Sequence, residues 1–187
     1  MISSEQAAEA LKQVAAAEQR SRAAYNYSQS APFCFVWGGV WLLGYGAEAL
    51  APLVYPPGKW IGWWWMGLTI AGVAAGMLIG HRQALRHGRS GWRYGALVLI
   101  IWLYFLSSFS VLHPHNSQQV GAYIPLLFAA IYAAIGLWLG LRYILVGAFM
   151  AAATLGAYFF LRDYFFLWMA LVGGGSLILT GFWLRRV

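Results

Sequence analysis

The side chains able to do chemistry are few, and four of them fall on the same side of the chain's apolar runs. Residues 112–119 read LHPHNSQQ and set His113 and His115 around Pro114. Glu48 is the only carboxylate inside an apolar run, and Asp163 lies in the break between the last two runs. Imidazole with carboxylate is a donor set for zinc or a similar divalent ion, and histidine is also the side chain that titrates near neutral pH. The spacing matches no ligand motif. Pro114 biases His113 toward an extended backbone, in which residues i and i+2 point to opposite sides, so one metal ion does not readily take both imidazoles. The segment reads first as a wet helix end and second as a pH-responsive outer cluster of Glu48, His113, His115 and Asp163. A metal site built from the same four residues is the least favoured reading, and no metal or other cofactor is expected.

Glu48 is a functional candidate because an ionisable group within a membrane span is costly, although a place near the outer surface lowers that cost. Its expected partners are Lys59, a histidine or water. No catalytic arrangement stands out. Ser107, Ser108 and Ser110 lie in an apolar run with no nucleophile elbow or zinc-protease motif nearby, no haem signature is present, and no nucleotide-binding motif appears. The single Cys34 excludes an internal disulfide and a thiolate cluster. It reads as a small packed apolar residue. An enzyme is not indicated.

The elements that must position these groups are membrane spans. Of 187 residues, 61% are hydrophobic and 9% charged, against roughly 25% charged in an ordinary soluble domain. About 20 apolar residues cross the hydrocarbon core, and the chain offers six such runs: Phe33 to Leu53, Trp60 to Gly80, Tyr94 to Leu112, Val120 to Leu141, Tyr143 to Leu161 and Tyr164 to Leu184. The fourth and fifth are interrupted only by Arg142 and must fold back at Gly140-Leu141-Arg142. The first 30 residues lack a short apolar core and a small-residue cleavage site, so a removed secretory signal is not expected. With the N-terminus inside, Lys12, Arg20, Arg22, Arg82, Arg86, Arg89, Arg93, Arg142, Arg185 and Arg186 lie on the cytoplasmic side, against Lys59 and Arg162 outside. The expected fold is all-α and polytopic. A cytoplasmic N-terminal helix over residues 1–30 leads into a six-helix transmembrane domain over residues 31–187, in a cell membrane of the bacterial inner-membrane type with both termini cytoplasmic.

Within that frame the small and basic residues have bland readings beside sharper ones. Arg82, Arg86, Arg89 and Arg93 follow i, i+4, i+7, i+11 and would align on a continuous helix. Anionic headgroups attract such a cluster by about 1 kcal/mol per residue. The net charge of +7 is distributed beside apolar runs, which favours lipid over nucleic acid. Gly72, Gly76 and Gly80 share one face of span two and allow close packing, within the chain or between copies. Gly173, Gly174 and Gly175 sit near the middle of span six. Each glycine costs about 1 kcal/mol in a helix interior, so either a neighbouring helix passes close or the helix unwinds there to offer its backbone to a ligand. Tryptophans near span ends, Trp60, Trp63 to Trp65, Trp92, Trp168 and Trp183, read first as an interfacial belt, the alternative for some of them being the lining of a pocket.

The N-terminal helix has few large apolar groups, chiefly Leu11, Val14 and Tyr25, and Ala-rich faces suited to helix contact, with Ser3 and Gln6 as a capping pair and Glu18 with Arg22 at i,i+4. It is expected to reach a soluble partner or a second copy. The segment VWGGVWLLGYG is similar to the Trp-rich spans of translocator-type tryptophan-rich sensory proteins. The likeness covers one span, the helix number differs, and no site motif is shared, so no family is assigned. The expected function is that of a membrane sensor, scaffold or regulatory partner, the alternative being a small oligomeric transporter or channel for a small or apolar solute. An aromatic-rich bundle of this kind could hold a lipid or a small aromatic ligand between its helices.

Overall fold

The computed structural model describes residues 4–54, 60–86 and 92–186. These residues form an all-α protein whose six helices are long and apolar enough to cross a membrane, the N-terminal one among them. The helices are α1 (Ser4–Val54), α2 (Trp60–Arg86), α3 (Trp92–Leu112), α4 (Ser117–Leu139) and α5 (Leu141–Phe160). The last span follows a 3-10 turn at Arg162–Tyr164 and consists of α6 (Phe165–Trp168), a π-helical stretch at Met169–Gly174 and α7 (Gly175–Arg185).

The N-terminal helix does not end before the first span. α1 is one helix of 51 residues, about 75 Å long at 1.5 Å per residue and more than twice the roughly 30 Å hydrocarbon core. Composition changes near residue 30 but the backbone does not break, because the Ala-rich leader and the apolar run are both good helix formers. The helix continues through Pro32, at the loss of one backbone hydrogen bond. Its first part forms an arm with Leu11 71% and Val14 63% exposed. Further along the same helix, Ala31, Cys34, Trp41 and Tyr45 are buried. On the arm, Arg22 donates to Glu18 Oε1 at 3.4 Å, as the i,i+4 spacing implies. Ser3 lies outside the described residues.

The tight part of the bundle joins α1, α4, α5 and the last span. α4 and α5 turn back on each other at Gly140, whose φ of 132° is a conformation that L side chains rarely adopt. The Tyr27 hydroxyl occupies the place of a Cβ there. Arg142 closes this end of the bundle. Its guanidinium donates to Trp183 O at 2.8 Å and lies over the Tyr27 and Trp183 rings at 5.3 and 4.6 Å. The single-residue turn is the fold-back expected from the length of the apolar block.

The last span neither unwinds into a loop nor stays a plain α-helix. It switches to π geometry over Met169–Gly174 and passes α1 with backbone against backbone. A Cβ on Gly174 would lie 2.7 Å from Leu42 N, and one on Gly38 would lie 3.0 Å from Ile178 N. Gly173 and Gly174 are buried. A Cβ on Gly175 would meet nothing within 4 Å. In α2, Gly72 and Gly76 are buried and Gly80 half-buried, and Gly72 packs against Val40 and Trp37 of α1. α3 is different in kind: none of its residues from Gly95 to Leu112 is buried. It is held to α4 by the Tyr104, Phe105, Phe109 and Tyr123 rings and by a Tyr123 to Tyr104 hydroxyl hydrogen bond of 2.8 Å.

Candidate functional site

Because α3 stands off the bundle, an apolar cavity of about 480 Å³ opens between it and α1, α2 and α4. That size falls in the usual range of small-molecule sites, roughly 300–1,000 Å³. Trp37, Val40 and Trp41 of α1 form one wall, and Phe128 of α4, also in the lining, approaches both indoles with ring centroids 6.3 and 6.5 Å apart. Val98, Ile101, Trp102 and Phe105 of α3 form the opposite wall. The cavity follows α4 from Ile124 to Leu139, which is about 22 Å of helix.

Among the described residues, no Asp, Glu, Lys, Arg or His lines this cavity. Its hydroxyls are Thr69 at mid-length and Ser30, Tyr132 and Tyr143 toward the α4–α5 turn. Ser30 Oγ and the Tyr143 hydroxyl are 2.6 Å apart, and the Tyr143 hydroxyl donates to Asn26 O at 3.0 Å. The Tyr132 hydroxyl lies 3.8 Å from the sulfur of buried Cys34. Cys34 is thus a packed residue at the edge of this cluster.

Glu48 bears on the cavity from outside. Its carboxylate accepts the Trp65 indole N–H at 3.2 Å. The Trp65 ring meets Tyr45 edge-on with centroids 4.9 Å apart and covers Gly44. Tyr45 in turn donates to Gly121 O at 2.7 Å. Trp65 lines the cavity, so Glu48 fixes one wall of it through that indole. Lys59, an expected partner of Glu48, lies outside the described residues. The indole N–H groups of Trp65 and of Trp168, which donates to Ala153 O at 3.1 Å, are thus spent on part-buried contacts inside the protein. Trp60, Trp63, Trp64 and Trp183 are exposed, as belt residues are.

Among the described residues, the four outer candidates are not gathered as a metal site. His113, His115 and Asp163 are exposed while Glu48 is half-buried against Trp65, and among the described residues no three His, Cys, Asp or Glu side chains come together to hold a metal ion. The extended backbone expected of His113 is corrected. Its φ is 41°, and its N–H still donates to Phe109 O at 3.2 Å. His113 closes the last turn of α3 in the left-handed position common just past a helix end, and Pro114 then prevents continuation. The next helix starts at once. Asn116 Oδ1 accepts from Gln119 N at 2.8 Å, while Gln119 Oε1 accepts from His115 N at 2.7 Å. This reciprocal cap accounts for the backbone of LHPHNSQQ as a helix stop followed by a helix start. Gln118 ties the same corner to the last span through Arg162 O at 2.7 Å.

The four arginines do not share one helix. Arg82 and Arg86 end α2, Arg93 begins α3, and Arg89 lies outside the described residues. Arg82 is exposed. The hydroxyls of Ser110, Thr154 and Ser176 each donate to a carbonyl of their own span, Leu106, Met150 and Gly173. The residues missed by sequence reasoning are those of the cavity itself, above all Ser30 and Tyr143. Their only signal was hydroxyls beside aromatics in apolar runs, a pattern that ordinary packing also produces. Comparison of this chain with protein-family models, with curated proteins and with solved structures finds no match.

Proposed function

We propose that the chain is an integral membrane sensor or regulatory protein whose output is the N-terminal arm of α1. The observation that carries this reading is continuity: one unbroken helix links the exposed Leu11 and Val14 to the buried Trp41 and Tyr45. A rigid helix transmits a tilt or rotation at the bundle to its far end. The Lys/Arg distribution puts the arm, the Arg82 to Arg93 region and the C-terminus in the cytoplasm of a cell membrane of the bacterial inner-membrane type. There Arg82, Arg86, Arg89 and Arg93 meet anionic headgroups. The arm carries too little large apolar surface to hold to lipid and suits helix contact with a soluble protein or a second copy.

Deleting Met1 to Arg20 tests the reading. The six-span bundle keeps its thermal stability, and the assembly or partner complex of the full chain is lost. If the shortened chain keeps the same oligomeric state and partners, the sensor reading fails. A second reading, a small oligomeric transporter or channel for a small or apolar solute, is favoured by the loosely packed α3 beside an apolar cavity, and it gains by that outcome.

A further inference from the structure

We propose that the cavity beside α3 binds an uncharged, single-chain lipid alcohol, with its chain along α4 and its hydroxyl donating to Ser30. This site stands on the cavity and its proton inventory, so it holds whether the chain signals or transports.

Shape argues for one chain. A volume of about 480 Å³ runs along about 22 Å of α4, so the space is elongated and accepts one extended chain. Charge argues for a neutral molecule, because among the described residues no ionised side chain lines the cavity and an unpaired charge in such surroundings is strongly disfavoured. The guanidinium of Arg142, next in sequence to Tyr143, is engaged by Trp183 O and two aromatic rings.

The hydroxyl cluster selects the head. A tyrosine has one O–H. Asn26 O can only accept, so the Tyr143 proton points to it. The 2.6 Å contact between Ser30 and Tyr143 then requires Ser30 to donate. With its one proton committed, Ser30 Oγ is an acceptor at this end of the cavity. A ligand hydroxyl satisfies it, whereas an ether or an ester carbonyl brings a second acceptor.

The test uses the full chain in phosphatidylcholine nanodiscs and hexadecanol carrying two bromine atoms at mid-chain. Four tryptophans in the lining, Trp37, Trp41, Trp65 and Trp102, report a bound bromine by quenching. Saturable quenching is expected for the alcohol. Its methyl ether should bind about five-fold more weakly for the lost hydrogen bond, and the matching brominated fatty acid at least ten-fold more weakly as its anion, on the order of the penalty for burying a charge. Ser30→Ala should abolish the preference for alcohol over ether while leaving ether binding unchanged, which also shows that the variant is folded. Val73→Phe with Ile101→Phe, which fills the cavity without altering the tryptophans, should remove saturation. Quenching that rises without saturation in the unmodified chain means partition into lipid only and overturns the proposal. So does equal affinity for alcohol and ether, tighter binding of the fatty acid, or saturation that persists in the filled variant.

Discussion

Gly38 of α1 and Gly174 of the last span are packed reciprocally: a Cβ on either would lie 3.0 Å from the carbonyl oxygen of the other. The two helices therefore meet backbone to backbone at the point where the last span adopts π geometry. In lipid, where no hydrophobic effect drives helices together, such contact supplies dispersion energy that larger side chains would prevent.

Gly174→Ala should destabilise the bundle by about 1–3 kcal/mol, since the added methyl meets backbone that cannot rotate away. Gly175→Ala should be neutral or stabilising by up to about 1 kcal/mol, since the place of its Cβ is open. Thermal unfolding in one detergent checks the pair. Equal effects at the two positions would contradict the assigned packing.

Glu48→Ala should cost about 1–3 kcal/mol by leaving the part-buried Trp65 N–H without its acceptor. Glu48→Gln retains an acceptor oxygen and should recover most of that loss. The same unfolding measurement applies, and an equal loss in both variants would show that the negative charge, rather than the hydrogen bond, is what Trp65 requires.

Replacing His113 and His115 together by Gln should change stability by no more than about 0.5 kcal/mol, because both are exposed. Asn116→Ala should cost about 1 kcal/mol through loss of the α4 cap. Metal analysis of the purified chain accompanies the comparison. Stoichiometric metal that disappears in the double variant would overturn the reading of this corner as a helix stop and start.

The spans were legible because lipid leaves the backbone no choice but helix, so apolar length nearly dictates the element. The Gly140 turn was legible for the same reason, since the block from Val120 to Leu161 is too long for one crossing. What the sequence hid was arrangement. Gly174 suggested close approach, but nothing in the sequence named Gly38 as its partner. Glu48 suggested Lys59, a histidine or water as its partner, and among the described residues the indole of Trp65 is the donor. His113 was misread because the restriction before proline was weighed against helix alone, without the left-handed closing position that ends α3. The cavity was illegible because it is made by the absence of contact along α3, and hydropathy does not distinguish a helix that packs from one that stands aside.

The proposed topology rests on the same Lys/Arg asymmetry as the proposed cytoplasmic arm. In a Cys34→Ala background, a cysteine at position 115 should react with a membrane-impermeant maleimide from outside intact cells, and one at position 14 only after the inner face is exposed. Labelling of position 115 only from the cytoplasm would invert the assignment.

The arm's contact with protein is the claim on which the functional account turns, and a benzophenone side chain introduced at Val14, which is 63% exposed, tests it in native membranes. Irradiation should give a discrete protein adduct, either a second copy of this chain or a soluble protein, that is lost when two glycines inserted after Ala24 break the helix between arm and bundle. Adducts with phospholipid alone would place the arm in the membrane surface and contradict the account.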